Sequence, residues 1–353
     1  MSPDALATAP LPPLPHWESA PADLPAAIRQ VKAALRARIA ASGRTVEDVF
    51  SVAEQRVSAE VDEILAARHR GEAIWPVIDY ADIEAGAVPA DALAKLRRRG
   101  CLVVRGHFDR GQALAWDSDL VDYVEGNAFF ENYRGPGDDF FSAVGSRPEI
   151  YPVYWSAPQM QARQSDRMAR VQAFLSRQWK HDCEGAAWFD PDRDALYPDR
   201  IRRRPPGADS GGLGAHLDPG TLELWMTQAY QKAFRHLFDG TVEQYDPWDA
   251  AYRTAGPQYP GSTMCSAFRT FQGWTALSDM DHGQECCTPS RSPPPWPASC
   301  CGRCWPTWPR TTCAASRSTR SSRPARHGTR SSCGPSAVSP TSGRVTRCGG
   351  TAT

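Results

Sequence analysis

The sequence predicts an α+β chain in which helices come first and short strands follow. Residues 26–41 and 45–70 carry apolar side chains at helical spacing, which indicates amphipathic helices. After Pro198 the chain changes to short β-type runs that are separated by glycine and proline. Helices followed by strands of antiparallel character favour a β-sandwich or barrel core.

The elements can be placed one by one along the chain. The second helix opens with a capping box formed by Thr45 and Asp48. Glycine, proline and aromatic residues at 127–158 predict long loops. Further helices are predicted at 91–99, 112–124, 159–178 and 222–238, and strands at 73–80, 101–104, 201–204 and 265–277, the last being the strongest strand candidate.

Composition bounds the organisation and the surroundings of the chain. Residues 1–25 form a leader, predicted to be flexible, that lacks the basic and apolar regions of a secretory signal. Residues 26–284 form the predicted domain, with the β core from about 198. Its acidic excess and sparse cysteines predict a cytoplasmic protein without a nucleic-acid partner. No apolar run approaches the ~20 residues that span a bilayer, so no membrane contact is expected.

Residues 285–353 differ abruptly from everything before them. They contain 10 Arg, 12 Ser, 10 Thr, 10 Pro and 8 of the 11 Cys, but no Leu, Ile, Met, Phe or Tyr. Such a segment cannot bury enough apolar surface to fold, so we expect a disordered tail. Two functional alternatives remain for it: a zinc site built around Cys301 and Cys304, or an Arg/Ser-rich arm that binds nucleic acid.

A shift of reading frame explains this composition better. When the third base of each codon is joined to the first two of the next, residues 298–307 permit Ile-Met-Leu-Arg-Pro-Leu-Leu-Ala-Asp. Residues 285–293 and 344–353 give similarly apolar or aromatic peptides in the same phase. We therefore expect that the gene continues in another frame after Gln284.

The motif with the clearest chemical meaning is His216-Leu-Asp218, which follows a glycine-rich approach at 211–214. On a strand, residues two apart project to the same side, so this imidazole and carboxylate can bind one metal ion. Two histidines and one carboxylate are the ligands of many non-haem iron(II) oxygenases. A second match, His107-Phe-Asp109, follows a predicted strand, and we expect a surface turn there with Asp109 capping the next helix.

Three stretches together resemble a known family. They are PDRIRRRPPG (198–207), GLGAHLDPGTLELW (212–225) and QGWTALSDMDHGQ (272–284). They resemble the YbiU-like (DUF1479-type) family within the 2-oxoglutarate/Fe(II)-dependent oxygenase superfamily. The resemblance implies a double-stranded β-helix of jelly-roll or cupin-like type, preceded by helices and here truncated at its C-terminal end.

The resemblance also implies a site. His216 and Asp218 would bind Fe(II), and the cofactor 2-oxoglutarate would contact Arg269, Gln272 and Arg204. Trp225 and Trp274 would line or support the pocket, although core packing is the commoner role of such residues. Arg202 and Arg203 could also clamp a carboxylate, although exposed arginines are usually solvated.

The expected function is hydroxylation of a small molecule whose identity the sequence does not reveal. In the family the third iron ligand, a distal histidine, comes late in the β-helix. We expect that it falls at or beyond the end of this chain in the correct frame, so this chain would be inactive or nearly so. The alternative is a metal-free, cupin-like protein that binds a small carboxylate without turnover.

Overall fold

The computed structural model describes residues 10–133, 150–193, 199–203, 222–255 and 268–279, and the backbone of 350–351. Helices dominate these residues, and the strands are two or three residues long. The helices are α1 Leu24–Ala41, α2 Val46–His69, α3 Tyr80–Ala85, α4 Ala90–Arg99, α5 Arg110–Gly126, α6 Phe129–Asn132, α7 Ala157–Arg163, α8 Asp166–Ser176, α9 Leu222–Trp225, α10 Gln228–Ala233 and α11 Arg235–Phe238. The strands are β1 Val77–Asp79, β2 Val103–Arg105, β3 Ile150–Tyr151, β4 Asp182–Cys183, β5 Ala186–Ala187, β6 Ile201–Arg202 and β7 Gly350–Thr351.

The first two helices confirm the sequence prediction. Helix α2 begins with the predicted capping box, in which the Thr45 hydroxyl accepts from the Asp48 backbone N–H at 3.1 Å and the Asp48 carboxylate accepts from the Thr45 backbone N–H at 3.1 Å. Two N–H groups that a helix end leaves without a partner are thereby satisfied. Helix α1 is capped by the Asp23 carboxylate.

From residue 10 onward, the segment predicted as a leader makes contacts with the rest of the fold. Trp17 is buried in the same core cluster as Trp225 and Phe234, and its backbone N–H donates to the Met226 carbonyl at 2.8 Å. The Gln231 amide donates to the Pro15 carbonyl at 2.6 Å. A proline-rich segment has little conformational entropy to lose, and one large aromatic side chain is enough to anchor it.

The centre of the fold is a parallel pair of strands. Val77, Ile78 and Asp79 of β1 lie opposite Val103, Val104 and Arg105 of β2. Helices α3 and α4 form the connection that a parallel pair requires. Strand β7 pairs with the other edge of β2 in antiparallel orientation.

The core around this pair is closed by helix α8. Ile78 and Val104 are essentially inaccessible to solvent, as are Leu96 of α4 and Val171 of α8. Trp248 completes the cluster, and its indole N–H donates to the Arg97 carbonyl at 2.8 Å. Burial of such side chains contributes roughly 1.5–3 kcal/mol each.

Two further strand pairs are short and antiparallel. Strand β3 pairs with β6, so that Tyr151 lies opposite Ile201, and strand β4 pairs with β5 in a hairpin. Tyr151 and Ile201 belong to a third core cluster with Leu120 and Val124 of α5. The expected β-helix stays a prediction, because the described strands neither display nor exclude it and residues 204–221 and 280–349 lie outside the described part.

Two predicted helices are divided into shorter ones. The predicted helix 159–178 forms α7 and α8, because the Ser165 side chain accepts from the Met168 backbone N–H at 3.1 Å and starts a new helix. The predicted helix 222–238 forms α9, α10 and α11, with the Thr227 hydroxyl as the cap of the second. Hydroxyl side chains compete with the helix backbone for its hydrogen bonds, which favours such breaks.

The predicted strand 265–277 does not form over residues 268–277, apart from an isolated bridge at Trp274. This segment is held by side chains instead. The Thr270 carbonyl accepts from the Trp179 indole N–H at 3.2 Å, and the Phe268 and Trp179 rings are 5.1 Å apart. Docking through aromatic side chains here replaces the backbone ladder of a strand. Residues 265–267 lie outside the described part.

No helix among the described residues combines the length and apolarity needed to cross a bilayer. Helix α2, with 24 residues, is the longest helix of the described ranges, and charged side chains are distributed along its whole length.

Gly240 gives a test of the packing between the N-terminal helices and the turn after α11. Its φ is +77°, and an added Cβ would lie 3.0 Å from Val49 Cγ2. We expect Gly240→Ala to lower the free energy of unfolding by about 1 kcal/mol because of the positive φ, and by a similar amount because of the steric contact. Urea unfolding of the two proteins measures the loss.

The control for this prediction is Gly86→Ala. Gly86 has a φ of +66°, but nothing lies within 4 Å of the position that an added Cβ would take. This variant should therefore show the conformational penalty alone. Equal losses in the two variants would contradict the predicted steric contact.

Candidate functional site

The predicted iron ligands lie outside the described residues. His216, Asp218 and Arg204 all fall in the stretch 204–221, which the chain enters after β6 and leaves at α9. Within the described ranges, no group of three or more His, Cys, Asp or Glu side chains is arranged to hold a metal ion. The proposed metal site therefore depends on the chemistry of the motif and on the residues that flank it.

Two of the predicted cofactor-binding residues lie together. The Arg269 guanidinium donates to the Gln272 side-chain oxygen at 3.3 Å, and Gln272 is exposed. Their segment is fixed against α8 by the Thr270 hydroxyl, which is 3.3 Å from the Ser176 hydroxyl. Arg269 and Gln272 can therefore act together on one polar ligand.

The two predicted pocket tryptophans differ in their surroundings. Trp225 is buried, and its ring lies 4.5 Å from Phe234 and 5.8 Å from Tyr230, centroid to centroid. Trp274 is half-buried and belongs to none of the three core clusters found among the described residues. Trp225 thus supports the fold from the core, whereas Trp274 retains an accessible face.

The arginines of strand β6 and its end also differ. Arg203 binds the Asp117 carboxylate through both terminal nitrogens, at 2.8 and 3.3 Å. This bidentate pair fixes the end of β6 to helix α5 and occupies a side chain that could otherwise clamp a ligand. Arg202 is half-buried on β6 and opposite Ile150.

His107 corrects a prediction. The sequence suggested a surface turn, but the side chain is fully buried. Asp109 does cap helix α5 as predicted, by accepting from the Gln112 backbone N–H at 3.0 Å. The turn is buried because the Phe108 ring packs on Trp116, with centroids 5.0 Å apart, and carries the neighbouring imidazole inward.

The surroundings of His107 keep its imidazole neutral. Burial lowers the pKa of His107 to about 4; a hydrogen bond with the Arg167 backbone opposes this shift, and the positive charge of Arg167 acts in the same direction as burial. The Arg167 guanidinium donates to the carbonyls of Gly106 and His107 and lies 3.6 Å from the centroid of the Tyr80 ring. At neutral pH the ring therefore offers one donor and one acceptor.

An open depression lies between α3 and α8. It has a volume of about 700 Å³, and Phe174 contributes an apolar floor. Four of its charged side chains form two exposed ion pairs, Arg170 with Glu84 and Arg177 with Asp192, and Asp166 also lines it.

The two described cysteines have raised thiol pKa values. Burial raises the pKa of Cys101 to about 11. Burial also raises the pKa of Cys183, whose thiol donates to the Asp249 carboxylate at 3.2 Å. Both thiols are protonated at neutral pH, and the thiolate is the reactive form.

Comparison with known proteins identifies the family. The Gig2-like family model matches residues 22–288, which is most of the chain. The chain therefore belongs to the Gig2-like family. This confirms the DUF1479-type family that the stretches 198–207, 212–225 and 272–284 indicated.

Individual relatives support the assignment. The chain is 53% identical over 270 residues to the uncharacterized protein YbiU of Escherichia coli K12, covering 76% of this chain and 63% of that protein. It thus spans less than two thirds of the length of that relative. A crystal structure from Salmonella typhimurium LT2, named "Putative Oxidoreductase", is 52% identical, with a TM-score of 0.70 and coverage of 76% and 64% of the two chains.

A eukaryotic structure is similar at lower identity. The GlcNAc Inducible Gene 2 protein, GIG2 (DUF1479), from Candida albicans is 25% identical, with a TM-score of 0.54. The match covers 74% of this chain and 53% of that protein.

The depressed pKa of His107 leads to a prediction about pH. The folded state holds the imidazole neutral down to about pH 4, whereas the unfolded chain binds a proton near pH 6.5. The unfolded state therefore binds more protons between these values, so the stabilisation is complete above pH 6.5 and is lost as pH falls towards 4. We therefore expect the free energy of unfolding of the wild type, minus that of His107→Gln, to decrease as the pH falls from 6.5 to 4.

Urea unfolding at intervals between pH 7 and 4 measures that difference. His69→Gln, which removes an exposed imidazole at the end of α2, is the matched control. If the difference in free energy of unfolding between the wild type and His107→Gln stays constant from pH 7 to pH 4, burial does not hold His107 neutral.

Proposed function

We propose that the family to which this chain belongs is one of Fe(II)- and 2-oxoglutarate-dependent oxygenases that hydroxylate a small molecule. The observation that carries the proposal is the motif His216-Leu-Asp218 followed by the Trp274-Thr-Ala-Leu277 stretch, within a chain of the Gig2-like family. The name of the Salmonella relative agrees with redox chemistry in general.

The donor set suits ferrous iron. An imidazole and a carboxylate two residues apart supply two of the three ligands that such centres use, and leave positions for a bidentate cofactor. The bound iron and 2-oxoglutarate would together activate dioxygen for oxidation of the substrate. His216 and Asp218 would hold and orient the metal ion.

The remaining predicted residues would bind the cofactor and shape the pocket. Arg269 and Gln272 already form one polar unit on the segment that α8 supports, and that unit suits a carboxylate group. Arg204 would add a second positive charge to the cofactor site. Trp274 would line the pocket, and the buried Trp225 would support it from the core.

We further propose that residues 285–353 are out of frame and contribute nothing to this site. The family match ends at residue 288, close to the composition change at Glu285. A site with only two protein ligands would hold iron weakly. We therefore expect this chain to be inactive or nearly so, and a frame-restored chain to be competent.

The test is anaerobic addition of Fe(II) and 2-oxoglutarate to the present chain and to its frame-restored form. We expect the visible charge-transfer band of the ternary complex only in the frame-restored form. His216→Ala and Asp218→Ala should abolish the band, whereas the exposed-site control His69→Gln should retain it. A frame-restored protein that folds but shows no band is not an oxygenase of this type, and binding of 2-oxoglutarate without the band would favour the metal-free binding protein.

Sequencing of the coding DNA tests the frame separately. A single-base change after codon 284 that restores an aliphatic-rich frame would support the proposal. If none exists, residues 285–353 are genuine, and stoichiometric zinc or salt-dependent RNA binding by the chain would favour the alternative functions of that segment.

A further inference from the structure

Residues 10–17, here called the N-terminal strap, are attached to the chain where α9 ends and α10 begins. The Trp17 backbone N–H donates to the Met226 carbonyl at 2.8 Å. The Gln231 side-chain amide donates to the Pro15 carbonyl at 2.6 Å and to the same Met226 carbonyl at 3.4 Å. Two points of the strap are therefore bound to the residues that directly follow α9.

The side chain of Trp17 adds packing to these hydrogen bonds. It is 8% exposed and belongs to the same core cluster as Trp225 and Met226. Helix α9 has only four residues, and a helix of one turn is not stable on its own in water. The position of α9 therefore depends on its packing, and Trp17 is part of that packing.

Helix α9 is the nearer of the two fixed ends of the stretch that contains the candidate iron ligands. Asp218 is four positions before Leu222, the first residue of α9, and His216 is six positions before it. An extended residue spans at most about 3.6 Å, so the Cα atoms of Asp218 and His216 lie within about 14 and 22 Å of that of Leu222. On the other side, His216 is thirteen positions beyond Arg203, so that end sets a much looser limit.

A small shift of α9 would thus reach the motif directly. Metal ligands have to be held within about 0.5 Å of their productive geometry. We propose that the N-terminal strap positions the His216–Asp218 motif, because Trp17 fixes the helix that follows the motif in the chain. Trp17 acts as a positioning residue, through α9 and not by contact with the metal ion. The inference deepens the proposed function and rests on it for what the motif binds.

The first test is amide hydrogen exchange of the present full chain, followed in peptides that cover residues 216–226. We expect Trp17→Ala to speed exchange there about tenfold, because α9 loses packing and opens more often. Trp17→Phe keeps an aromatic ring and should stay close to the wild type. Unchanged exchange of 216–226 in Trp17→Ala would overturn the proposal.

The control separates positioning from a general loss of stability. Leu96 is fully buried in the core around β1 and β2, and Leu96→Ala should destabilise the fold to a comparable extent. It should leave the exchange of 216–226 unchanged relative to the rest of the chain. The same acceleration in Leu96→Ala would show that Trp17 has no specific effect on the motif. If Trp17→Ala does not fold, Gln231→Ala, which removes the donor to Pro15 and Met226, replaces it, with the same criteria.

The second test uses iron and the frame-restored chain. With 2-oxoglutarate present and oxygen absent, we measure the Fe(II) concentration that gives half of the charge-transfer band. Trp17→Ala should raise this concentration several-fold, whereas Trp17→Phe and Leu96→Ala should not. An unchanged concentration in Trp17→Ala would overturn the inference and leave the proposed function standing. If no variant shows the band, the proposed function fails, and the exchange measurement still decides whether the strap positions the motif.

Discussion

The parallel pairing of β1 with β2 is the constraint on which the rest of the structure depends. Three residue pairs define it, and its central members, Ile78 and Val104, have almost no contact with solvent. Because a parallel pair needs a long connection, helices α3 and α4 must cover the strands before the chain can return. Val171 and Leu175 of α8 then close the cluster. The turn at the carboxyl end of β2 contains His107, which therefore lies at the end of this pair.

A group of arginine–glutamate pairs attaches the N-terminal helices to this centre. Arg99, at the end of α4, has a side chain only 5% exposed and binds Glu60 and Glu63 of α2. The neighbouring Arg98 binds the same two carboxylates from a more exposed position. The paired carboxylates offset the cost of burying the Arg99 charge, and they also fix the rotation of α2 about its axis. The core cluster of Trp17, Trp225 and Phe234 then has a defined position relative to the strands.

The parts of the fold that could be predicted are those determined by local sequence. The capping box of α2 and the Asp109 cap of α5 depend on residues three apart, so the sequence reveals them directly. The docking of Trp17 and the failure of 268–277 to form a strand depend on partners more than ninety positions away, such as Met226 and Trp179. The family could also be predicted, because the resemblance depends on three short stretches of sequence. The burial of His107 could be inferred only from a strand end followed by an aromatic residue, which is a weak signal.

The two His-x-Asp motifs show why such a pattern needs structural context. In the first, the Asp109 carboxylate already accepts from the Gln112 backbone N–H, and His107 is enclosed by Phe108 and Tyr80. The capping bond and the burial of the imidazole give both side chains a structural role in the first motif. The same spacing at His216 and Asp218 follows a glycine-rich stretch, which is expected where the backbone comes close to a cofactor or a neighbouring strand, and this is the reason for proposing the iron site at the second motif.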